Sequence, residues 1–292
     1  GDGDDDYQQV LDRVRRKVAD LRFALGVQLI EGATDPLAIS AALARIAEAA
    51  IQVLSDAAIA QFAEAHGRVA DSELVILGLG RMGGGALTHA SDLDLVYLFT
   101  GDFTRESDGR RPLGATLYYN RLGQRVTAAL SVPTAEGALF EVDTRLRPSG
   151  DQGPLAVGLD AFERYQREQA WTWEHMALCR ARPLYGSPAA RAALQGIVAQ
   201  VLGTPRDAEK LKADVLDMRE TMARHKPAKG PLDAKLARGG LVDVEFLVHF
   251  LQLRSGKGHT PFLGDAVRAL VAEGLLPEPM IAAHDGLSRL LV

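Results

Sequence analysis

"LGLGRMGGGALTHASDLDLVYLF", residues 77–99, sets a glycine-rich turn between two apolar runs and places Ser91, Asp92 and Asp94 at the mouth of the second. The run from Glu73, "ELVILGLG", and the run from Leu93, "LDLVYLF", are short and rich in β-branched or aromatic side chains, so both read as strands. Gly78, Gly80 and Gly83 match G-x-G-x-x-G. A dinucleotide fold, however, needs a full helix after the glycines and an acid at the end of the second strand, about 20 residues on. Here the second strand begins with its acids, and the spacing leaves room for about two helical turns. Asp92 and Asp94 stand two residues apart, which on a strand points both side chains to one face. Adjacent carboxylates repel unless a cation lies between them. The pair suits divalent ions about 3.5–4 Å apart that clamp the attacking and leaving oxygens of a phosphoryl displacement. Gly83, Gly84 and Ser91 would then offer backbone N–H groups and a hydroxyl to a polyphosphate beside those ions. A solvated pair of loop aspartates has the same local pattern, so the metal reading requires a further acid.

A third strand, "LFEVDTRLRP" at residues 139–148, supplies one. Glu141, Asp143, Arg145 and Arg147 alternate with Phe140, Val142, Thr144 and Leu146, which predicts one charged and one mostly apolar face. With Asp143 beside the D-x-D strand, three carboxylates form a metal site, and Arg145 and Arg147 can neutralise phosphate oxygens. Carboxylates, glycine loop and strand placement together describe nucleotidyl transfer.

Around this unit the pattern is helical. "VLDRVRRKVADLRFAL" spaces Val10, Leu11, Val14, Val18, Leu21 and Leu25 by one helical turn, and a second helix starts at Pro36 and stops at Gly67. "ATLYYNRLGQRVTAALSV" returns to helical spacing, and Asp160 with Glu163 reads as a capping box for one helix over "AFERYQREQAWTWEHMALCRARPL". "DAEKLKADVLDMRETMARH" and "GLVDVEFLVHFLQLR" are helical, and the second is apolar nearly all round, hence buried. The layout predicts an α+β fold: a helical region over 1–72, a core with a small mixed sheet over 73–185 and a helical domain over 186–292.

The chain has 292 residues, 47% hydrophobic and 24% charged, the balance of a soluble globular protein. The formal charge of −5 argues against a nucleic-acid partner, and no long apolar run suggests a membrane span. "GDGDDDY" is acidic where an export signal is basic and then apolar, and Cys179 is the only cysteine, so a cytoplasmic location is expected. Trp171 and Trp173 read as packing residues rather than a base-stacking platform. Arg180 and Arg182 read equally as surface cations or as contacts to phosphate or an acid. Glu245, His249 and Gln252 share one helical stripe, where a polar seam between helices is preferred over a metal pair because no third ligand is evident. Lys226, Lys229 and Lys235 make a loose basic loop, and Cys179 reads as a small buried hydrophobe.

Four stretches carry a family resemblance. "GLGRMGGGALTHASDLDLVYLF", "EVDTRLRPSGDQGPL", "FERYQREQAWTWEHMALCRARPLYG" and "GGLVDVEFLVHFLQLR" occur in the order found in bacterial glutamine synthetase adenylyltransferase, and the resemblance extends over nearly the whole chain. It implies a DNA polymerase beta-like nucleotidyltransferase core. The family joins two related halves, one attaching AMP to a tyrosine of glutamine synthetase and one removing it. "RLRPSGDQG" and "WTWEH" are more similar to the adenylylating, C-terminal half. The resemblance implies Asp92, Asp94 and Asp143 as catalytic metal ligands and Gly83, Gly84 and Ser91 in the nucleotide loop. It also implies Mg²⁺, ATP as substrate, glutamine synthetase as protein substrate, and glutamine and a PII signalling protein as effectors. Arg81, Ala86 and His89 depart from the residues common there. The removing half, a catalytically silent binding domain and a small-molecule nucleotidyltransferase are the rival readings.

Overall fold

The computed structural model describes residues 2–292, with side chains from residue 6 onward; of the acidic opening, residues 1–5 lie outside those described side chains. Helix α1 (Asp2–Ile30) packs against α2 (Pro36–His66). Asp35 Oδ1 accepts the Leu37 N–H at 3.1 Å, Pro36 occupies the first turn, and Gly67 closes the helix at φ +68°. The start and stop therefore fall where Pro36 and Gly67 predict. Contrary to expectation, alanine-rich α2 is long and apolar enough to cross a membrane by length and composition. In the fold it is a core helix, burying Ile39, Leu43, Ile51, Leu54 and Phe62.

The next elements build the sheet. Strand β1 (Leu74–Gly78), the one-turn helix α3 (Gly80–Gly83) and β2 (Leu93–Phe99) follow, and β1 pairs antiparallel to β2 from Leu74↔Phe99 to Gly78↔Leu95. A dinucleotide-binding βαβ unit is parallel, so the antiparallel pair excludes it. The two helical turns expected between the strands contract to one, because Gly84 and Gly85 (φ +62°) lead the chain out of the helix. Helix α4 (Ala115–Ser131) comes next.

The third strand is far shorter than its alternation predicts. β3 is only Val142–Asp143, parallel to β2 through Leu93↔Val142 and Asp94↔Asp143. The chain turns there because the Asp143 carboxylate accepts the Arg145 backbone N–H at 2.8 Å. No common strand face therefore joins Glu141, Asp143, Arg145 and Arg147. Strand β4 (Ala156–Gly158) continues the same edge, pairing parallel to the far end of β2, and β5 (Arg182–Tyr185) pairs antiparallel to β1. The sheet has five strands of mixed direction.

The helix expected over residues 161–184 is two helices and a strand. α5 (Leu159–Glu168) is capped by Gly158 rather than Asp160, and Glu163 instead pairs with Arg167 at 2.6 Å. α6 (Thr172–Leu178) starts anew, with Glu174 Oε2 accepting the Trp171 N–H at 2.9 Å. Then come α7 (Pro188–Leu202), α8 (Ala208–His225), α9 (Leu241–Ser255), α10 (Leu263–Ala272) and α11 (Pro279–Arg289). The sheet lies between two helical layers. Leu74, Ile76, Leu95, Tyr97 and Phe99 face α1, α2 and α4, whereas Val75, Leu77, Val96 and Leu98 face α5 to α8. Burial on both faces is why the strands read as unbroken apolar runs. A third cluster joins α9, α10 and α11.

Candidate active site

Asp94 is the second residue of β2, Asp143 lies opposite it at the end of β3, and Asp92 just precedes β2. One carboxylate oxygen of each lies within 4.8 Å of the others, and among the described residues no other such group of acidic, histidine or cysteine side chains forms. The parallel register brings Asp143 to the D-x-D pair. Asp94 is strongly perturbed: burial, then Asp92 and Asp143, push its carboxyl up to about 6, while Arg180 and Arg145 pull the other way. Asp143 is held below the usual carboxylate range, chiefly by the Arg145 guanidinium bonded to both its oxygens. Three converging oxygen donors, one of them resisting ionisation beside two like charges, suit a hard divalent ion such as Mg²⁺.

The glycine turn forms the wall behind Asp94. Gly80 has φ +52°, and a Cβ there would collide with Asp94 Oδ2. The Leu79 N–H also donates to the Asp94 carbonyl at 2.9 Å. At Gly83 a Cβ would collide with the carbonyls of Arg180 and Gly78, and at Gly84 it would meet Arg180 Nε at 2.7 Å. The N–H groups of Gly83 and Gly84 already donate to Leu79 O at 2.7 Å and Gly80 O at 3.1 Å. These glycines therefore admit close packing in place of the open N–H cradle that the sequence suggests.

The remaining candidates scatter. Ser91 Oγ accepts the Thr88 N–H at 2.9 Å, closing its own turn. Arg145 is exposed beside the triad, with its side chain folded onto Asp143. Arg147 turns inward instead, donating to Thr144 O at 2.8 Å and Asp151 at 3.3 Å, so it braces the loop after β3. Arg180 is buried and pairs with Glu245 at 2.7 Å, and Arg182 pairs with Glu48 at 2.9 Å, so both contact acids. Glu245, His249 and Gln252 gather no metal cluster: Gln252 donates to Gly258 O at 2.7 Å, and His249 is buried with Nε2 unpartnered. Burial pushes the Cys179 thiol up to about 12, as a small hydrophobe requires. Trp171 and Trp173, expected to pack, are 71% and 40% exposed because the break between α5 and α6 turns them outward. Sequence reasoning did not single out Gly80 as the contact to Asp94, although its place in the G-x-G pattern was a signal.

The sequence profile of the glutamate-ammonia ligase adenylyltransferase family matches residues 2–197. The chain belongs to this family. Curated relatives include proteins of Mesorhizobium japonicum (44% identical over 261 residues, 89% of this chain and 26% of the relative) and Brucella suis (42% over 286 residues, 96% and 29%). A third, from Caulobacter vibrioides, is 41% identical over 287 residues, 98% of this chain and 29% of the relative. Each is named a bifunctional glutamine synthetase adenylyltransferase/adenylyl-removing enzyme. The chain thus spans under a third of the length of these relatives.

Proposed function

We propose that this chain is the adenylylating half of such an enzyme, with a DNA polymerase beta-like core, acting in the cytoplasm to transfer AMP from ATP to a tyrosine hydroxyl of glutamine synthetase. The observation that carries the reading is the convergence of Asp92, Asp94 and Asp143 at one end of the sheet in a chain of this family. "RLRPSGDQG" and "WTWEH" support the forward direction. Asp92, Asp94 and Asp143 would hold Mg²⁺, which when bound supplies charge neutralisation for the polyphosphate and the leaving pyrophosphate. Arg145, exposed beside Asp143, is placed to exchange that carboxylate for a phosphate oxygen. Ser91 edges the same region, and Gly83 and Gly84 shape the turn. A tyrosine hydroxyl near pKa 10 is a weak nucleophile at neutral pH and needs help to lose its proton. With Arg145 exchanged onto a phosphate oxygen, the Asp143 carboxylate is released and is placed to take that proton, and a metal held by the triad would assist by favouring the ionised hydroxyl.

Incubation with α-labelled ATP, Mg²⁺ and unmodified glutamine synthetase is expected to leave AMP on the protein. ADP release from AMP-modified glutamine synthetase and phosphate, without forward transfer, would make this the removing half. Neither activity, together with binding to glutamine synthetase, would make it a silent module. Glutamine and a PII protein are proposed effectors of the longer protein, to be added to the same assay.

A further inference from the structure

Arg180 and Arg182 approach the glycine turn from the loop before β5 and from its first residue, and neither is paired with the acidic triad. Arg182 uses its whole guanidinium. Nη1 donates to both carboxylate oxygens of Glu48 on α2 at 3.0 and 2.9 Å, and Nε donates to the Gly83 carbonyl at 3.1 Å. Nη2 reaches the Met82 carbonyl at 3.5 Å, and the group lies 5.8 Å from the Phe262 ring centroid. The last carbonyls of α3 thus end on a cation anchored in one helical layer. Arg180, 8% exposed, pairs with Glu245 on α9, the helix whose apolar residues pack with α10 and α11. Its guanidinium fills the space that a Cβ at Gly84 would need, and its buried Nε has no hydrogen-bond partner. At the opposite end of this single turn, Gly80 lies against Asp94 Oδ2.

We propose that Arg182, with Arg180 on the other side, is a positioning residue for the acidic triad. Held between Glu48 and Glu245, the pair fixes α3 so that Gly80 keeps the Asp94 carboxylate turned toward Asp92 and Asp143. The inference rests on reading those three aspartates as a metal site. One helical turn is too short to absorb a displacement, so a shift at Gly83 reaches Gly80. Arginine is required because its planar fork holds a carboxylate and a carbonyl together, whereas a lysine ammonium can keep the ion pair but not both bonds in that geometry.

The test is Mn²⁺ binding to the whole chain, followed by titration calorimetry, with thermal melting in the absence of metal. Arg182→Lys is expected to melt within a few degrees of the parent yet bind Mn²⁺ about tenfold more weakly. Glu48→Gln, which frees the fork from α2, should weaken binding in the same direction. Parent-like Mn²⁺ affinity in both variants would overturn the proposal and leave the arginines as braces of the fold alone. Should Arg182→Lys fail to fold, Glu48→Gln decides. Asp94→Asn separates the two levels of the argument: if the parent binds no Mn²⁺, or if this substitution leaves its binding unchanged, the metal reading itself falls and the positioning role falls with it.

Discussion

Asp94 is where stability and chemistry oppose each other. Its carboxyl is pushed up to about 6, so at neutral pH the folded protein holds a charge that burial and two neighbouring carboxylates disfavour. Asp94→Asn should raise the melting temperature of the metal-free protein at pH 7 while lowering Mn²⁺ affinity and AMP transfer by about 10²-fold. A lower melting temperature would show that the charge is already compensated. Gly80→Ala combines a positive φ with a collision against Asp94, and is expected to cost about 1–3 kcal/mol in urea denaturation and to weaken Mn²⁺ binding. Loss of stability with unchanged binding would detach the turn from the site. His249 contributes to the acid response. Burial first, then Arg180, takes its pKa from 6.5 to about 3. Between those values the unfolded chain binds a proton that the folded chain refuses, so this group's contribution to stability rises with pH across the window and levels off above it. The slope is at most about 1.4 kcal/mol per pH unit. His249→Leu should flatten melting temperature against pH between 6.5 and 4, and an unaltered slope would place the acid sensitivity elsewhere. The D-x-D pair was legible at this scale, because alternation along a strand is a local property. Arg147 was not: its alternation with apolar residues implies a sheet face, yet the chain has already left the sheet after Asp143.

At the scale of elements, α4 ends on a residue distant in sequence. Arg15 of α1, 2% exposed, donates to the carbonyls of Ala129 at 2.9 Å and Val132 at 2.7 Å. It serves the helix end that the last turn of α4, without a basic residue of its own, leaves open. Arg15→Met leaves those carbonyls unpaired under α1, and is expected to cost about 2–4 kcal/mol in chemical denaturation. A cost below about 0.5 kcal/mol would mean that water or a neighbour replaces the guanidinium. Nothing near Arg15 in the sequence marks this role, since the helix it serves begins only at Ala115. The break between α5 and α6 shows the same limit. Continuous helical spacing runs through "EQAWTWEH", yet the Gln169 and Ala170 N–H groups both turn back to Tyr165 O, at 2.9 and 3.0 Å, and Glu174 caps a new helix. By contrast Pro36 and Gly67 bounded α2 correctly, because helix termini are set by residues within one turn.

For the whole molecule, the helices before residue 73 form one face of the core. Ile39, Leu43, Ile51, Leu54 and Phe62 of α2 are buried in the same cluster as Ile76, Leu95 and Tyr97 of the sheet. A chain beginning at residue 73 would expose that face, so it should lose cooperative thermal unfolding and bind a hydrophobic dye. A sharp transition near that of the parent would make the helices an accessory layer. The amino-acid sequence alone determined the class of fold, the two central strands with the glycine turn between them, the ends of α2 and the pairing of Asp92 with Asp94. Each depends on neighbours within a few residues, where periodicity and turn chemistry act. Tertiary structure alone decided that β1 and β2 run antiparallel, that Asp143 enters through a two-residue parallel strand, and that Gly80 backs Asp94 while Arg180 and Arg182 brace the turn. Those contacts join residues far apart in sequence. Burial of both sheet faces selects them, and no local pattern encodes which distant side chain fills the space a glycine leaves.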